Sequence, residues 1–129
     1  MDISAEALQF FDGHPGAIPL YLAFDEGIRQ RAQARRAQVK KTQISYFNGY
    51  MFACVSLLPV KKAKDRPRDY ITVTFMLEHR LSSPRIDSAC EPSPNRWTHH
   101  ILIASPEEMD AEFWGWMQEA AAFAMRKHS

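Results

Sequence analysis

The dipeptide Asn48-Gly49 constrains the fold of this chain more than any other feature. It separates two runs of alternating character, "TQISYF" and "YMFACVSL". Asn and Gly both tolerate the positive φ angles of a two-residue hairpin turn, so the pattern predicts two antiparallel strands joined there. A turn of that length also fixes which residues face each other. Phe47 should stand opposite Tyr50, followed outward by Tyr46 with Met51, Ser45 with Phe52, Ile44 with Ala53 and Gln43 with Cys54. Thr42 with Val55 and Lys41 with Ser56 complete the ladder. One face then carries Ile44, Tyr46, Met51, Ala53, Val55 and Leu57, a core set. The other carries Lys41, Gln43, Ser45, Cys54 and Ser56, with Phe47, Tyr50 and Phe52 at the turn end.

These strands cover about residues 39–47 and 50–58, and two more follow. "YITVTFML", within about 69–77, points Ile71, Val73, Phe75 and Leu77 inward and Thr72 and Thr74 outward. "WTHHILI", about 97–103, places Trp97, His99, Ile101 and Ile103 on one side and Thr98, His100 and Leu102 on the other. Adjacent strand residues face opposite ways, so His99 joins the core and His100 the polar face. His99 is expected as a neutral core histidine bonded to a backbone carbonyl.

Helices flank the strands. Ser105, Pro106 and Glu108 form a capping box with proline at the first helical position, opening a helix over about 106–126. Met109, Phe113, Trp116, Met117, Ala120 and Ala124 make its apolar stripe; Arg126, Lys127 and His128 suit its negative end. Trp114 lies off the stripe, at its border or presented to a partner. Near the N-terminus a short helix, about 3–12, precedes a second over about 18–35, whose basic end "RQRAQARR" reads as solvated. The connections 58–69 and 78–96 are too polar and proline-rich to give elements. The fold class is therefore α+β, a single domain over 1–129. An antiparallel four-stranded sheet carries two N-terminal helices and one long C-terminal helix on one face.

Hydrophobic residues make up 46% and charged residues 24%, a globular balance that excludes disorder. Apolar runs such as "MFACVSLLPV" stop short of the roughly 20 residues of a membrane span, so no membrane partner is expected. The start "MDISAEALQFF" lacks the basic and apolar regions of a secretion leader. Cys54 and Cys90 stand apart, as free thiols of a reducing cytoplasm would.

"KTQISY", the aromatic hairpin, "SPRI" and above all "RWTHHILI" followed by a capped helix resemble a bacterial and archaeal family known as domain of unknown function 5655. The resemblance runs from about Ala7 to Ala124. Its members occur as stand-alone small proteins or joined to nuclease-like domains, and it implies no reaction or ligand. The layout is also distantly similar to small frataxin-like proteins, although the basic middle of this chain is unlike their acidic ridge.

Net charge is +1, but unevenly spread. Residues 1–28 carry five acids and no Lys or Arg; residues 29–100 carry 14 Lys and Arg against five acids; residues 101–129 carry two against five. A basic middle with acidic ends favours an anionic partner. The polar sheet face offers Lys41, Gln43, Ser45, Thr72, Thr74 and His100, and nearby connections add Arg68, Arg85 and Arg96. Hydroxyls, an amide and cations suit phosphate or carboxylate, with nucleic acid or a nucleotide ahead of small carboxylates. The competing readings are a face kept polar for solubility, a protein-interaction or structural domain without a ligand site, and an enzyme using His100 as acid or base. No nucleophile elbow, glycine-rich phosphate loop, paired carboxylates or metal-ligand spacing accompanies the histidines, so no catalytic residue, cofactor or metal is expected. Oligomeric state has no sequence signal.

Overall fold

A computed structural model describes residues 3–128, the side chains of Lys127 and His128 excepted. The chain runs α1 (Ala5–Phe10), α2 (Ile18–Arg31), β1 (Arg36–Val39), β2 (Ile44–Phe47), β3 (Met51–Ser56), β4 (Ile71–Leu77), β5 (Ser88–Ser93), β6 (Arg96–Ile103) and α3 (Ala111–His128). All strand pairs are antiparallel, in the order β1-β2-β3-β4-β6-β5. The α+β class holds, but the sheet has six strands where four were expected.

The two additional strands have separate causes. Ala32 ends α2, and Gln33 takes a left-handed φ of 57°, which lets the Ala34 N–H reach back to the Ile28 carbonyl. That reversal stops the helix at Arg31, four residues before its expected end, and frees Arg36–Val39 to pair with β2. The expected strand over 39–47 is thus a tight hairpin, closed where the Lys40 N–H meets the Gln43 carbonyl at 2.8 Å. At the other edge, β5 pairs with β6 through the turn Ser93-Pro94-Asn95-Arg96, with Asn95 at φ 59°. Pro followed by a left-handed Asn is the order of a type II turn. Pro92 lies where the β5 register shifts, so its missing N–H is tolerated on an edge.

Asn48-Gly49 does join β2 to β3, but the loop has three residues, 48–50. Gly49 alone takes a positive φ, 126°, while the Asn48 side-chain amide is spent on the Ala121 carbonyl of α3, 3.1 Å away. The register moves accordingly: Ile44 pairs with Val55, Ser45 with Cys54, Tyr46 with Ala53, and beyond a bulge Phe47 with Met51. Below the bulge the move is two residues. An even shift leaves side chains on the faces expected for them. Beside the bulge Phe52 is buried in the core and Met51 only half-buried, the reverse of the expected order.

The helices α2 and α3 cover the face of Ile44, Tyr46, Val55, Val73, Phe75 and Ile101. Phe24 of α2 packs edge-on against Tyr46 and Phe113, and Phe75 stacks on Trp116. Trp114 is not offered to a partner; it is buried between the helices, stacked on Phe24 at 5.8 Å and seated on Gly27. The capping box forms, with Glu108 Oε1 accepting from the Ser105 N–H at 3.0 Å, but it opens a single 3-10 turn, Pro106–Glu108. Asp110 then caps α3 itself, accepting from the Phe113 N–H at 3.1 Å. That bond, followed by Arg85, holds the Asp110 carboxyl below the usual carboxylate range. Lys127 and His128, expected to close the helix, have side chains outside the described set.

Candidate ligand-binding groove

His99 and His100 part as strand alternation requires. His99 is fully buried and stacked on Phe75, ring centroids 5.1 Å apart. Its Nε2 accepts from the Leu81 backbone N–H at 2.9 Å. Burial lowers the His99 pKa, and a neutral ring is the form that can accept that bond.

On the opposite face the register aligns Ser45, Cys54, Thr74 and His100 in one row across β2, β3, β4 and β6. Thr74 Oγ1 lies 2.8 Å from His100 Nδ1, and Gln43 Nε2 donates to Ser45 Oγ at 2.8 Å. Over this row lies an open groove of about 460 Å³, lined by Lys41, Gln43, Cys54, Ser56, Thr74 and His100 with Phe10, Thr42, Leu57 and Leu58. Phe10 comes from the end of α1, so the short helix walls the groove at the β1 edge instead of only covering the core.

The face is not the open wet surface that its residue types suggest. Ser45, Cys54, Ser56, Thr72 and Leu102 are buried. Thr72 donates to the Leu58 carbonyl at 2.6 Å and Tyr70 to that of Leu57 at 2.9 Å, which ties the chain leaving β3 back onto β4. Of the residues singled out from sequence, Lys41, Gln43, Thr74 and His100 converge on the groove. Ser45 lies beneath it as the acceptor that orients Gln43, and Thr72 is spent on the fold.

The three arginines do not join them. Arg85 is on the helix side, ion-paired with Asp110 at 3.0 Å and Glu112 at 2.8 Å and laid over Trp116. Arg96 reaches Met76 Sδ near the α3 residues Ala120 and Phe123. Arg68 is exposed in the β3–β4 connection and lines no part of the groove. What sequence reasoning missed were the apolar walls, Phe10, Leu57 and Leu58, because nothing local shows that a helix end and a strand exit will meet across a sheet.

A family model described as Domain of unknown function (DUF5655) matches residues 7–124. The chain belongs to that family. No curated protein matches it, and no solved structure does. The matched span contains every residue that lines the groove, from Phe10 to His100.

The titratable groups lining this DUF5655 groove are shifted by burial toward their neutral forms. Burial lowers the His100 pKa, leaving a neutral imidazole at pH 7 that can donate or accept one hydrogen bond. Burial raises the Cys54 thiol, against a smaller opposing effect of the Thr74 hydroxyl, so the reactive thiolate is suppressed. The groove lining holds no carboxylate to orient His100 as a base, although the ring does meet the Thr74 hydroxyl. Among the described residues no three His, Cys, Asp or Glu are placed to hold a metal ion. Nor is any described helix long and apolar enough to cross a membrane.

Proposed function

We propose that this domain is a binding module, without catalysis of its own, for a small anionic ligand of mononucleotide size, held in the groove over the Ser45–Cys54–Thr74–His100 row. The observation that carries the reading is the groove itself. It combines one cation, Lys41, with apolar walls and a neutral polar floor in a volume typical of small-molecule sites. The row from Ser45, which holds the Gln43 amide, to His100 spans three strand spacings, about 14 Å. An elongated ligand fits that span, with its anionic group at Lys41, a flat ring between Phe10 and Leu58, and a polar edge at His100. A nucleic-acid strand needs several phosphate contacts in line, and the arginines that would supply them lie elsewhere. That favours a free nucleotide over an oligonucleotide. The unpaired thiols of Cys54 and Cys90 suit a reducing, cytoplasmic setting.

Isothermal titration with AMP and with a single-stranded DNA 12-mer tests this. The expected result is saturable AMP binding with a groove component weakened about tenfold or more by Lys41→Ala and by His100→Ala. Absence of AMP binding at low salt, or equal binding by both variants, defeats the proposal.

A further inference from the structure

The basic run at the end of α2 is not uniformly solvated. Arg29 pairs with Asp25 at 3.2 Å, and Arg36 lies over the Phe47 ring, 4.0 Å from its centroid. Arg31 and Arg35 instead line a second cavity, of about 390 Å³, between the end of α2, the 48–50 loop and α3. Neither has a carboxylate within ion-pair distance among the described residues.

The walls of this cavity are tied together by hydrogen bonds. Gln118 of α3 donates to the Arg31 carbonyl at 2.8 Å, Asn48 to the Ala121 carbonyl at 3.1 Å, and the Arg35 N–H to the Phe47 carbonyl at 2.8 Å. The first of these also satisfies a carbonyl at the end of α2, which softens the negative end of the helix towards an incoming anion. The shape is therefore set before anything binds, which lowers the cost of binding.

At its lip stands Gln33, held at φ 57° in the position where helices favour glycine. A side chain retained at a left-handed site costs stability, and such outliers gather where a side chain has work to do.

We infer that the cavity between α2, the 48–50 loop and α3 is a phosphate-binding pocket, with Arg31 and Arg35 gripping the anion and the Gln33 amide closing over it. Two guanidinium forks can each take a pair of oxygens from a tetrahedral phosphate. A carboxylate has only two oxygens to divide between them, so phosphate is the better match. The site is independent of the sheet groove and shares no lining residue with it.

Titration of the full chain with pyrophosphate, and separately with fluorescein-labelled dT12, tests the pocket. Saturation by pyrophosphate supports a ligand with a terminal phosphate; saturation by dT12 alone, whose backbone phosphates have only two free oxygens each, overturns the inference. Arg31→Ala combined with Arg35→Ala should weaken pyrophosphate binding at least tenfold, and Arg68→Ala, which lines neither cavity, should leave it unchanged. Gln33→Gly should raise the melting temperature by a few degrees while weakening binding two- to fivefold, a combination that mere damage to the fold cannot give. No saturation by pyrophosphate also overturns the inference. So does a loss as large in Arg68→Ala as in the double arginine variant, or Gln33→Gly binding as tightly as the wild type.

Discussion

Two glycines in helices, one covered and one open, make the packing of α2 on α3 directly measurable. A Cβ built on Gly27 would lie 2.2 Å from Trp114 Cζ2 and 2.4 Å from Cη2, well inside van der Waals contact. Trp114 is itself buried against Phe24 and Phe113, so the indole cannot swing away without opening the core. A Cβ on Gly115 meets nothing within 4 Å. Gly→Ala in a helix interior contributes about 1 kcal/mol of stability when the space is free. Gly115→Ala should therefore be more stable by about 1 kcal/mol. At Gly27 the same gain is offset by overpacking, which typically costs about 1–3 kcal/mol and more where backbone or a locked ring must move. The clash is near the severe end, so a net loss of about 2 kcal/mol is expected. For a domain of this length that is a melting-temperature fall of roughly 6–10 °C, against a rise of about 3–5 °C for Gly115→Ala. Denaturant unfolding followed by circular dichroism reads both. If Gly27→Ala were as stable as the wild type or more so, the seating of Trp114 on α2 would be wrong.

Three other outcomes follow from particular side chains. Because burial lowers the His99 pKa, the unfolded chain binds more protons than the folded one around and below pH 6.5; stability should be fully present above that pH and fall as the pH drops through it. His99→Gln, which can still accept the Leu81 N–H, should flatten that dependence. The exposed His79–Glu119 pair, 2.7 Å apart, raises the His79 pKa and acts with the opposite sign, so the comparison between the two proteins isolates His99. Arg85→Ala should lower the melting temperature modestly, with the loss shrinking in high salt, while AMP affinity stays unchanged, because Arg85 holds the start of α3 and not the groove. Thr72→Val removes the donor to the Leu58 carbonyl and should destabilise the protein by about 1 kcal/mol, checked by denaturant unfolding.

Much of the fold was legible where a side-chain period coincided with burial. β4 and β6 read correctly because Ile71, Val73, Phe75, His99 and Ile101 alternate across a sheet with one face under helices. β5 was not legible, since Ser88–Ser93 is an exposed edge with no apolar face to mark it and a proline at its bulge. The end of α2 was hidden for a different reason: the reversal falls on Gln33, where no Gly, Asn or Pro announces it. Below the bulge, the faces of the Asn-Gly hairpin survived a wrong register only because the error there was two residues; an odd slip would have turned Cys54 and Ser45 into the core, as the one-residue shift beside the bulge did for Phe52. For the groove, composition identified Lys41, Gln43, Thr74 and His100 because they share a face in register. Composition could not separate them from Arg68, Arg85 and Arg96, whose positions depend on how loops fold back. Arg85 was claimed by the acids at the start of α3, a pairing across 25 residues of sequence that no local pattern encodes.

Mapping AMP binding by amide and side-chain chemical-shift changes in labelled protein is the most direct measurement of the central claim. Saturable shifts should concentrate on Lys41, Gln43, Cys54, Thr74 and His100, with the His100 ring resonances moving most. Shifts confined to the α2–α3 side of the sheet, or none at saturating nucleotide, would contradict it.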